Sequence, residues 1–298
     1  MADLHFDGRV AVVTGAGQGL GRSHALELAA RGAKVVVNDL GGAVDGTGSS
    51  DTPARRVVEE IAAAGGQAVV DGGDVSTEEG AEGVVRTALE AYGRVDVVVN
   101  NAGILRDRSV KNITAAEWDA VLAVHLRGSF LVARAAFPHM RENGYGRVLN
   151  TSSPSGLFGN FGQVNYASAK MGLIGLTRTL AIEGAKYDIT ANAIAPVAYT
   201  RMTEDLFPPE MAGRLGPERV TPLVVYLVHE SCAATGEVYT VGGGRVARVF
   251  VAEGPGYVQE DATAEDIRDN WPQISAERPY TVPRDIGEQT TGHFQALD

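Results

Sequence analysis

The chain has 298 residues, 44% of them apolar and 21% charged, which is enough apolar material to bury one sizeable core. Its formal net charge of -11 argues against nucleic acid or an anionic membrane as the main partner, because such partners require clustered lysine and arginine. The single cysteine, Cys232, excludes an internal disulfide, and no cysteine or histidine spacing indicates a metal site.

The N-terminal segment is charged where a signal peptide needs an apolar stretch, and the C-terminal QALD is not a peroxisomal signal. No run approaches about 18 uncharged apolar residues, the length that a membrane span requires. We therefore expect a cytoplasmic protein without a membrane span.

Short runs rich in valine alternate with amphipathic stretches along the first two thirds of the chain. The runs have the length and composition of strands buried on both faces. The stretches between them, such as 20–32 and 81–93, have helical spacing and end at a glycine. This alternation predicts an α/β fold of the Rossmann type, with a doubly wound parallel seven-stranded sheet and helices on both faces. The predicted strands are residues 9–14, 33–39, 67–72, 94–101, 146–153, 188–195 and 236–244.

The composition changes after Gly244, where a proline-punctuated tail begins. We expect residues 1–244 to form one nucleotide-binding domain and residues 245–298 to be an extension packed on it.

The segment TGAGQGLG, residues 14–21, follows the first predicted strand and opens the first helix. Glycines here let the backbone turn tightly and approach a pyrophosphate, whose charge then lies at a helix N-terminus. The alternative is an ordinary strand-to-helix turn. We expect a dinucleotide to contact Gly15, Gln18, Gly19, Leu20 and Gly21.

Asp39 ends the second strand, 20 residues after Gly19. A carboxylate there can accept hydrogen bonds from the adenosine ribose and repels a 2′-phosphate. The neutral Gln18 agrees, because a site that binds NADP is expected to place arginine or lysine nearby. NAD is therefore favoured over NADP. Asp74 and Val75 are placed to contact adenine, although a helix N-cap is an equally good role for Asp74.

Three motifs together resemble the short-chain dehydrogenase/reductase family: TGxxxGxG, NNAG at 100–103 and YxxxK at 166–170. The resemblance implies an oxidoreductase with a nicotinamide cofactor. It also implies that the NNAG segment walls the cofactor cleft, so that Asn101, Ala102 and Gly103 contact the nucleotide while Asn100 supports the adenosine side.

Tyr166 and Lys170 stand one helical turn apart on the same face. A lysine ammonium and an oxidised nicotinamide both favour phenolate, so we expect the pKa of Tyr166 to fall towards working pH and Tyr166 to act as the base. The resemblance implies that Lys170 also holds the nicotinamide ribose. Ser153 lies 13 residues before Tyr166, the family's usual separation, and would orient the substrate oxygen. Ser152 and Ser155 are the alternatives.

The chain departs from the family pattern at two positions. In the segment from Pro196 to Thr200, Val197 replaces the usual glycine. The resemblance still implies that this backbone fixes the carboxamide, through Pro196, Ala198, Tyr199 and Thr200. His125 stands where the family commonly carries a catalytic asparagine. We hypothesise that His125 gives water-mediated support to Lys170; the alternative is a helix residue bonded to backbone.

The resemblance extends to one branch, the (3R)-hydroxyacyl-CoA dehydrogenase domain of peroxisomal multifunctional enzyme type 2, also called 17β-hydroxysteroid dehydrogenase type 4. It is carried by VVNDLGG, NNAGILRDRS, VHLRGSF, GNFGQVNY and AEDIRDNW, and it includes the tail beyond Gly244. It implies a free-standing, bacterial-like enzyme that oxidises (3R)-hydroxyacyl-CoA with NAD in fatty-acid or sterol side-chain β-oxidation. The alternatives are a 17β-hydroxysteroid dehydrogenase, an NADPH-linked 3-ketoacyl reductase and a non-catalytic nucleotide sensor.

An acyl-CoA substrate brings phosphates, which require a local basic patch. Arg106, Arg108 and Lys111 are the candidates for contacting CoA phosphate or closing over the cleft; solvated surface charge is the alternative. Residues 202–215 suit a substrate lid, or they pack on the core. The resemblance also implies a homodimer or homotetramer that pairs through helices at 117–141 and 165–186.

Overall fold

The structure is a computed structural model that describes residues 3–204 and 207–295. The chain separates into two compact units, Met1–Arg248 and Val249–Asp298. This boundary lies four residues beyond the predicted one, because a further strand follows Gly244. The packing of the extension on the first domain stays a prediction.

A single sheet runs through the first unit. Its strands are β1 (Val10–Thr14), β2 (Lys34–Asn38), β3 (Gln67–Asp71), β4 (Val97–Asn100), β5 (Gly146–Thr151), β6 (Ile189–Pro196), β7 (Val238–Gly242) and β8 (Arg245–Val249). They lie in the order β3-β2-β1-β4-β5-β6-β7-β8, and the pairs from β3 to β7 are parallel. The seven predicted strands are all present. The eighth was missed because Gly243 and Gly244, both with positive φ, turn the chain back into the sheet.

The helices of the first unit cover both faces of this sheet. They are α1 (Gly19–Ala30), α2 (Thr52–Ala63), α3 (Glu78–Tyr92), α4 (Ala115–Leu122), α5 (Gly128–Asn143), α6 (Pro154–Phe158), α7 (Val164–Gly184) and α8 (Thr221–Leu227). Alternate residues of β1 point to opposite sides, so Val13 packs with α1, α2 and α8 whereas Val12 packs with α3 and α5. The predicted α/β architecture is confirmed. β3 is only partly buried because it forms an edge of the sheet.

Two features of this architecture position the site. The strand order reverses between β1 and β4, and α/β sheets bind ligands in the crevice at such a switch point, beyond the carboxyl ends of the strands. A π-helical turn, Ala123–Arg127, joins α4 to α5. Such single turns are frequent at functional sites.

The helical run Ala115–Asn143 is long and apolar enough to cross a membrane by length and composition alone. Its α5 part contributes Leu131, Val132 and Met140 to the core beside the sheet. It is therefore built into the domain as a core helix.

The second unit contains three short helices, α9 (Ala264–Asp269), α10 (Trp271–Ile274) and α11 (Ile286–Gln295). A capping box of Thr263 and Asp266 begins α9. Glu253 and Thr281 form an antiparallel bridge within this unit.

Candidate active site

The glycine turn between β1 and α1 packs so closely that two of its glycines leave no room for a side chain. A Cβ on Gly21 would lie 2.2 Å from the carbonyl oxygen of Gly15, and one on Gly15 would lie 2.7 Å from Cα of Ala102. Helix α1 begins after Gln18 without a side-chain cap and without an acidic residue in its first turn. Its free N–H groups and partial positive charge suit a pyrophosphate.

Asp39 directly follows β2 and faces the glycine turn. Its carboxylate accepts hydrogen bonds from the N–H groups of Gly17 and Gly41, each at 2.7 Å. These backbone donors fix the carboxylate at the side of the turn, where the ribose of a dinucleotide would lie. The turn and the carboxylate together fit a nicotinamide dinucleotide.

A cleft of about 340 Å³ opens beside this turn. It is lined by most of the expected cofactor residues, namely Gly15, Gln18, Gly19, Leu20, Asp39, Asp74, Val75, Asn101, Ala102, Gly103 and Thr200. Gly21, Tyr166, Lys170, Pro196, Ala198 and Tyr199 are not among its lining residues. Gly21 instead permits the close contact of α1 with the turn.

Side chains that follow the strands hold the walls of the cleft. Asn101 donates from Nδ2 to the carbonyl oxygens of Thr14 and Gly15, both at 3.0 Å, and so ties β4 to the glycine turn. Asn100 is buried below the cleft and donates to Asn150 Oδ1 at 2.9 Å, so it braces the sheet. The N-cap of α3 is Thr77, so the capping role considered for Asp74 was wrong.

Ser153, Tyr166 and Lys170 come together at the carboxyl end of β5. Ser153 is the N-cap of α6, and its Oγ accepts a hydrogen bond from the Ser155 N–H at 3.1 Å. Lys170 Nζ lies 5.4 Å from the centroid of the Tyr166 ring and donates to the Thr151 carbonyl oxygen at 2.5 Å. Ser152 donates its hydroxyl proton to the Lys170 carbonyl oxygen, which leaves Ser153 the better placed serine.

Burial dominates the electrostatics of this trio. It raises the pKa of the Tyr166 phenol, and hydrogen bonding to Ser153 opposes that rise. Burial also lowers the pKa of Lys170 to about 7. The sequence predicts a lowered pKa for Tyr166, but the protein without cofactor raises it. Desolvation raises this pKa by more than the hydrogen bond to the Ser153 hydroxyl lowers it.

His125 lies in the π-helical turn and is buried. Its Nε2 lies 3.0 Å from the backbone nitrogen of Ile104 and 2.8 Å from the carbonyl oxygen of Ile104. The imidazole stands edge-on to the Tyr166 ring at a centroid distance of 5.1 Å. Burial, helped by the charge of Lys170, holds the pKa of His125 well below its usual range, so the ring is neutral. A Cβ on Gly103 would lie 2.3 Å from the His125 ring.

The segment after β6 accommodates Val197 without breaking the sheet. The Val197 N–H donates to the Val241 carbonyl oxygen at 2.8 Å, and a Cβ on Gly242 would lie 2.3 Å from the Val197 carbonyl oxygen. A glycine on the neighbouring strand thus makes room for the valine. Ala198 is buried, and Thr200 lines the cleft.

The three basic candidates for CoA phosphate occupy different environments. Arg106 lines the nucleotide cleft and donates from Nε to the Asp45 carbonyl oxygen at 2.9 Å. Arg108 lies 3.5 Å from the carboxylate of Glu117, and Lys111 is exposed.

Residues 202–215, the segment predicted as a lid, lie partly at the cleft and partly in the core. Met202 lines the cleft, whereas Leu215 is buried and accepts a hydrogen bond from the Tyr199 N–H at 2.6 Å. Asp205 and Leu206 lie outside the described residues.

An amide network at the start of α7 was not predicted from the sequence. Gln163 donates to Asp107 Oδ2 at 2.6 Å, and Asn165 donates to the Arg106 carbonyl oxygen at 3.0 Å. Asn165 Oδ1 also accepts from the Tyr166 N–H at 2.8 Å. The network ties the segment after β4 to the helix that carries Tyr166. Position next to Tyr166 was the only signal for it in the sequence.

The chain is similar to known proteins along most of its length. The family model described as short chain dehydrogenase matches residues 9–210. A protein of Mycobacterium tuberculosis named as a short-chain type dehydrogenase/reductase, Rv0148, is 54% identical over 269 residues, which are 90% of this chain and 94% of that protein. The hydroxyacyl-CoA dehydrogenase ChsB1 of the same organism is 41% identical over 302 residues, covering 92% of each.

A solved structure of full-length peroxisomal multifunctional enzyme type 2 from Drosophila melanogaster is similar, with a TM-score of 0.83 and 41% identity. The match covers 99% of this chain and 50% of that one, so the chain spans half the length of this relative. The family model covers more than half of the chain, and the relatives cover nine tenths of it or more. The chain therefore belongs to the short-chain dehydrogenase family.

Proposed function

We propose that this chain oxidises (3R)-hydroxyacyl-CoA to 3-ketoacyl-CoA with NAD, in fatty-acid or sterol side-chain β-oxidation. The proposed substrate is supported by one observation. Almost the whole chain is similar to a relative named hydroxyacyl-CoA dehydrogenase and to multifunctional enzyme type 2. The similarity to multifunctional enzyme type 2 from Drosophila melanogaster covers 99% of this chain, a range that includes the tail beyond the dehydrogenase core.

Asp39 supports NAD as the cofactor. Its carboxylate is fixed by two backbone N–H groups at the edge of the cleft, where the adenosine ribose would lie. A 2′-phosphate there would meet a negative charge instead of a basic side chain. Gln18, Gly19 and Leu20 would hold the pyrophosphate through their backbone at the start of α1.

Tyr166 is the group that takes the proton from the substrate hydroxyl. Because burial raises its pKa, the phenolate depends on positive charge nearby, which Lys170 supplies in its protonated form. When bound, an oxidised nicotinamide would supply a second positive charge and the acceptor for the hydride of the substrate carbon. Ser153 orients the substrate oxygen, since its Oγ accepts from the Ser155 N–H and its hydroxyl hydrogen-bonds with Tyr166, which sets it beside the base.

The experiment offers the purified chain (3R)- and (3S)-hydroxyacyl-CoA of several chain lengths and a 17β-hydroxysteroid, each with NAD and with NADP. We expect NADH formation with the (3R) esters, and on the order of 100-fold less turnover in Tyr166→Phe with unchanged NADH binding. Turnover of the steroid alone, or preference for NADP, would contradict the proposal. NADH binding without turnover of any substrate would support a nucleotide sensor instead.

A further inference from the structure

The connection between β2 and α2 is long for this kind of fold. β2 ends at Asn38 and α2 begins at Thr52, so 13 residues join them. Strand-to-helix connections in α/β units usually take about 2 to 6 residues, and longer ones are usually functional. We call residues 40–50 the β2–α2 loop.

The β2–α2 loop is folded on itself. The Ser50 N–H donates to the Leu40 carbonyl oxygen at 2.9 Å and closes its base, and the Ala43 N–H donates to the Thr47 carbonyl oxygen at 2.8 Å near its tip. Gly41 has a φ of +71°, and a Cβ there would lie 1.7 Å from the Ser50 carbonyl oxygen. Glycine at position 41 permits this folded conformation of the loop.

The tip of the loop is joined to the segment that follows β4. The Leu105 N–H donates to the Val44 carbonyl oxygen, and Arg106 Nε donates to the Asp45 carbonyl oxygen, both at 2.9 Å. A Cβ on Gly46 would lie 3.1 Å from the Ile104 side chain. The loop thus reaches from the end of β2 to the segment after β4.

The order of the strands shows what the β2–α2 loop passes over. β1 lies between β2 and β4, and the glycine turn follows β1. A loop that leaves β2 and contacts the segment after β4 must cross the end of β1. Both partners line the same cleft, the loop through Leu40, Gly42, Ala43 and Gly46 and the opposite segment through Ile104 and Arg106.

We propose that the β2–α2 loop is a cover over the nucleotide cleft and that Arg106 holds it shut, so that the loop must release Arg106 before the dinucleotide can leave. The inference rests on the proposed dinucleotide site. It gives Arg106 a positioning role towards the cofactor instead of a contact with CoA phosphate. Two hydrogen bonds hold the tip of the loop, one from the Leu105 N–H and one from Arg106 Nε. Only the Arg106 hydrogen bond depends on a side chain.

The test measures NADH release by stopped-flow fluorescence and NADH affinity by titration, without any acyl-CoA. Arg106→Ala removes the side-chain hydrogen bond and should speed NADH release by about tenfold. Gly46→Val keeps Arg106 but places a branched side chain at a φ of +85° against Ile104, so it should also speed release. Arg108→Ala is the matched control, because Arg108 pairs with Glu117 and does not line the cleft.

Faster NADH release in both Arg106→Ala and Gly46→Val, with release from Arg108→Ala unchanged, supports the cover. An effect of Arg106→Ala without one of Gly46→Val would show that Arg106 binds the nucleotide directly and would overturn it. Unchanged NADH release in Arg106→Ala, together with a raised KM for the CoA ester in a separate turnover assay, would assign Arg106 to CoA phosphate and also overturn the proposal. Failure of the proposed function is distinguishable, since the unmodified chain would then turn over no hydroxyacyl-CoA although it binds NADH.

Discussion

His125 connects two parts of the site through one ring. Its Nε2 lies within hydrogen-bond distance of both the N–H and the carbonyl oxygen of Ile104, while its buried Nδ1 has no hydrogen-bond partner among the described residues. A neutral imidazole nitrogen either donates or accepts, so Nε2 serves one of these groups at a time. An asparagine side chain can do both at once. The ring also packs edge-on against Tyr166.

We predict that His125→Ala lowers kcat by about 10- to 100-fold with little change in NADH affinity, because the Ile104 backbone and the Tyr166 ring both lose a neighbour. His125→Asn should keep most of the activity, since an amide can bind the Ile104 backbone. The measurement is kcat and KM as functions of pH for both variants. Unchanged turnover and an unchanged pH profile in His125→Ala would show that His125 has no part in catalysis.

The sequence predicts which residues lie together at the candidate site better than it predicts their hydrogen-bond partners. The spacing of Ser153, Tyr166 and Lys170 identifies them, because one strand end and one helix face bring them together. The contact of His125 with Ile104 joins residues 21 apart, and that of Asn165 with Arg106 joins residues 59 apart. Such contacts depend on how the chain crosses itself, which local periodicity does not record.

At the scale of elements, the packing of α1 on the glycine turn makes a sharp prediction. In Gly21→Ala the new Cβ would meet the Gly15 carbonyl oxygen at 2.2 Å and Asn101 Nδ2 at 2.6 Å. The backbone must shift, so we expect a loss of about 1 to 3 kcal/mol in the free energy of unfolding and much weaker NADH binding. Urea unfolding and fluorescence titration measure the two effects.

Gly83→Ala is the matched control for this substitution. Gly83 lies inside α3, and a Cβ there meets only the far end of the Arg86 side chain at 3.5 Å. Alanine should stabilise this helix by about 0.5 to 1 kcal/mol without affecting NADH binding. A Gly21→Ala protein that is as stable and binds NADH as tightly as the original would contradict the packing argument.

The sequence predicts the bounds of strands and helices within a few residues where the hydrophobic periodicity is strong. The predicted run 94–101 corresponds to Val97–Asn100, a shorter strand, and the carboxylate of Asp96 just before it binds Arg94 and the Val10 N–H. The π-helical turn was not predicted, because its sequence continues the helical pattern on both sides. β8 was missed because its alternation is weak and glycines precede it.

At the scale of the whole molecule, two buried histidines predict acid sensitivity. Burial lowers the pKa of His24 to about 3 and holds that of His125 well below its usual range. Below pH 6.5 the unfolded chain binds protons that the folded chain does not, so stability falls as pH falls from 6.5 towards 3. His24 contributes at most about 5 kcal/mol to this loss.

His24→Leu should therefore flatten the fall in unfolding free energy between pH 6.5 and 3, measured by urea titration at several pH values. Its partner Thr221 keeps hydrogen bonds to Ser23 and to the Pro217 carbonyl oxygen. His139→Gln, at a partly exposed histidine, serves as the control. A pH dependence identical to that of the unmodified chain would rule out His24 as a source of acid sensitivity.

We also propose that the chain pairs through the outer faces of α5 and α7. Phe130 on α5 and Met171 and Ile182 on α7 expose large apolar side chains there. Symmetric pairing would remove them from water. Ile182→Lys should weaken the dimer, which light scattering measures, and leave the unfolding of the monomer almost unchanged. A monomeric unmodified chain at micromolar concentration would contradict this proposal.

The order of the strands also has a consequence for how the protein is made. β1, β2, β3 and β4 are all complete by residue 100, and most residues that line the nucleotide cleft lie before residue 125. Tyr166 and Lys170 follow later in the chain, and the core of the sheet closes only with β7, at residues 238–242. During synthesis the nucleotide half can thus form first, and a bound dinucleotide can stabilise it while the catalytic half is still being translated.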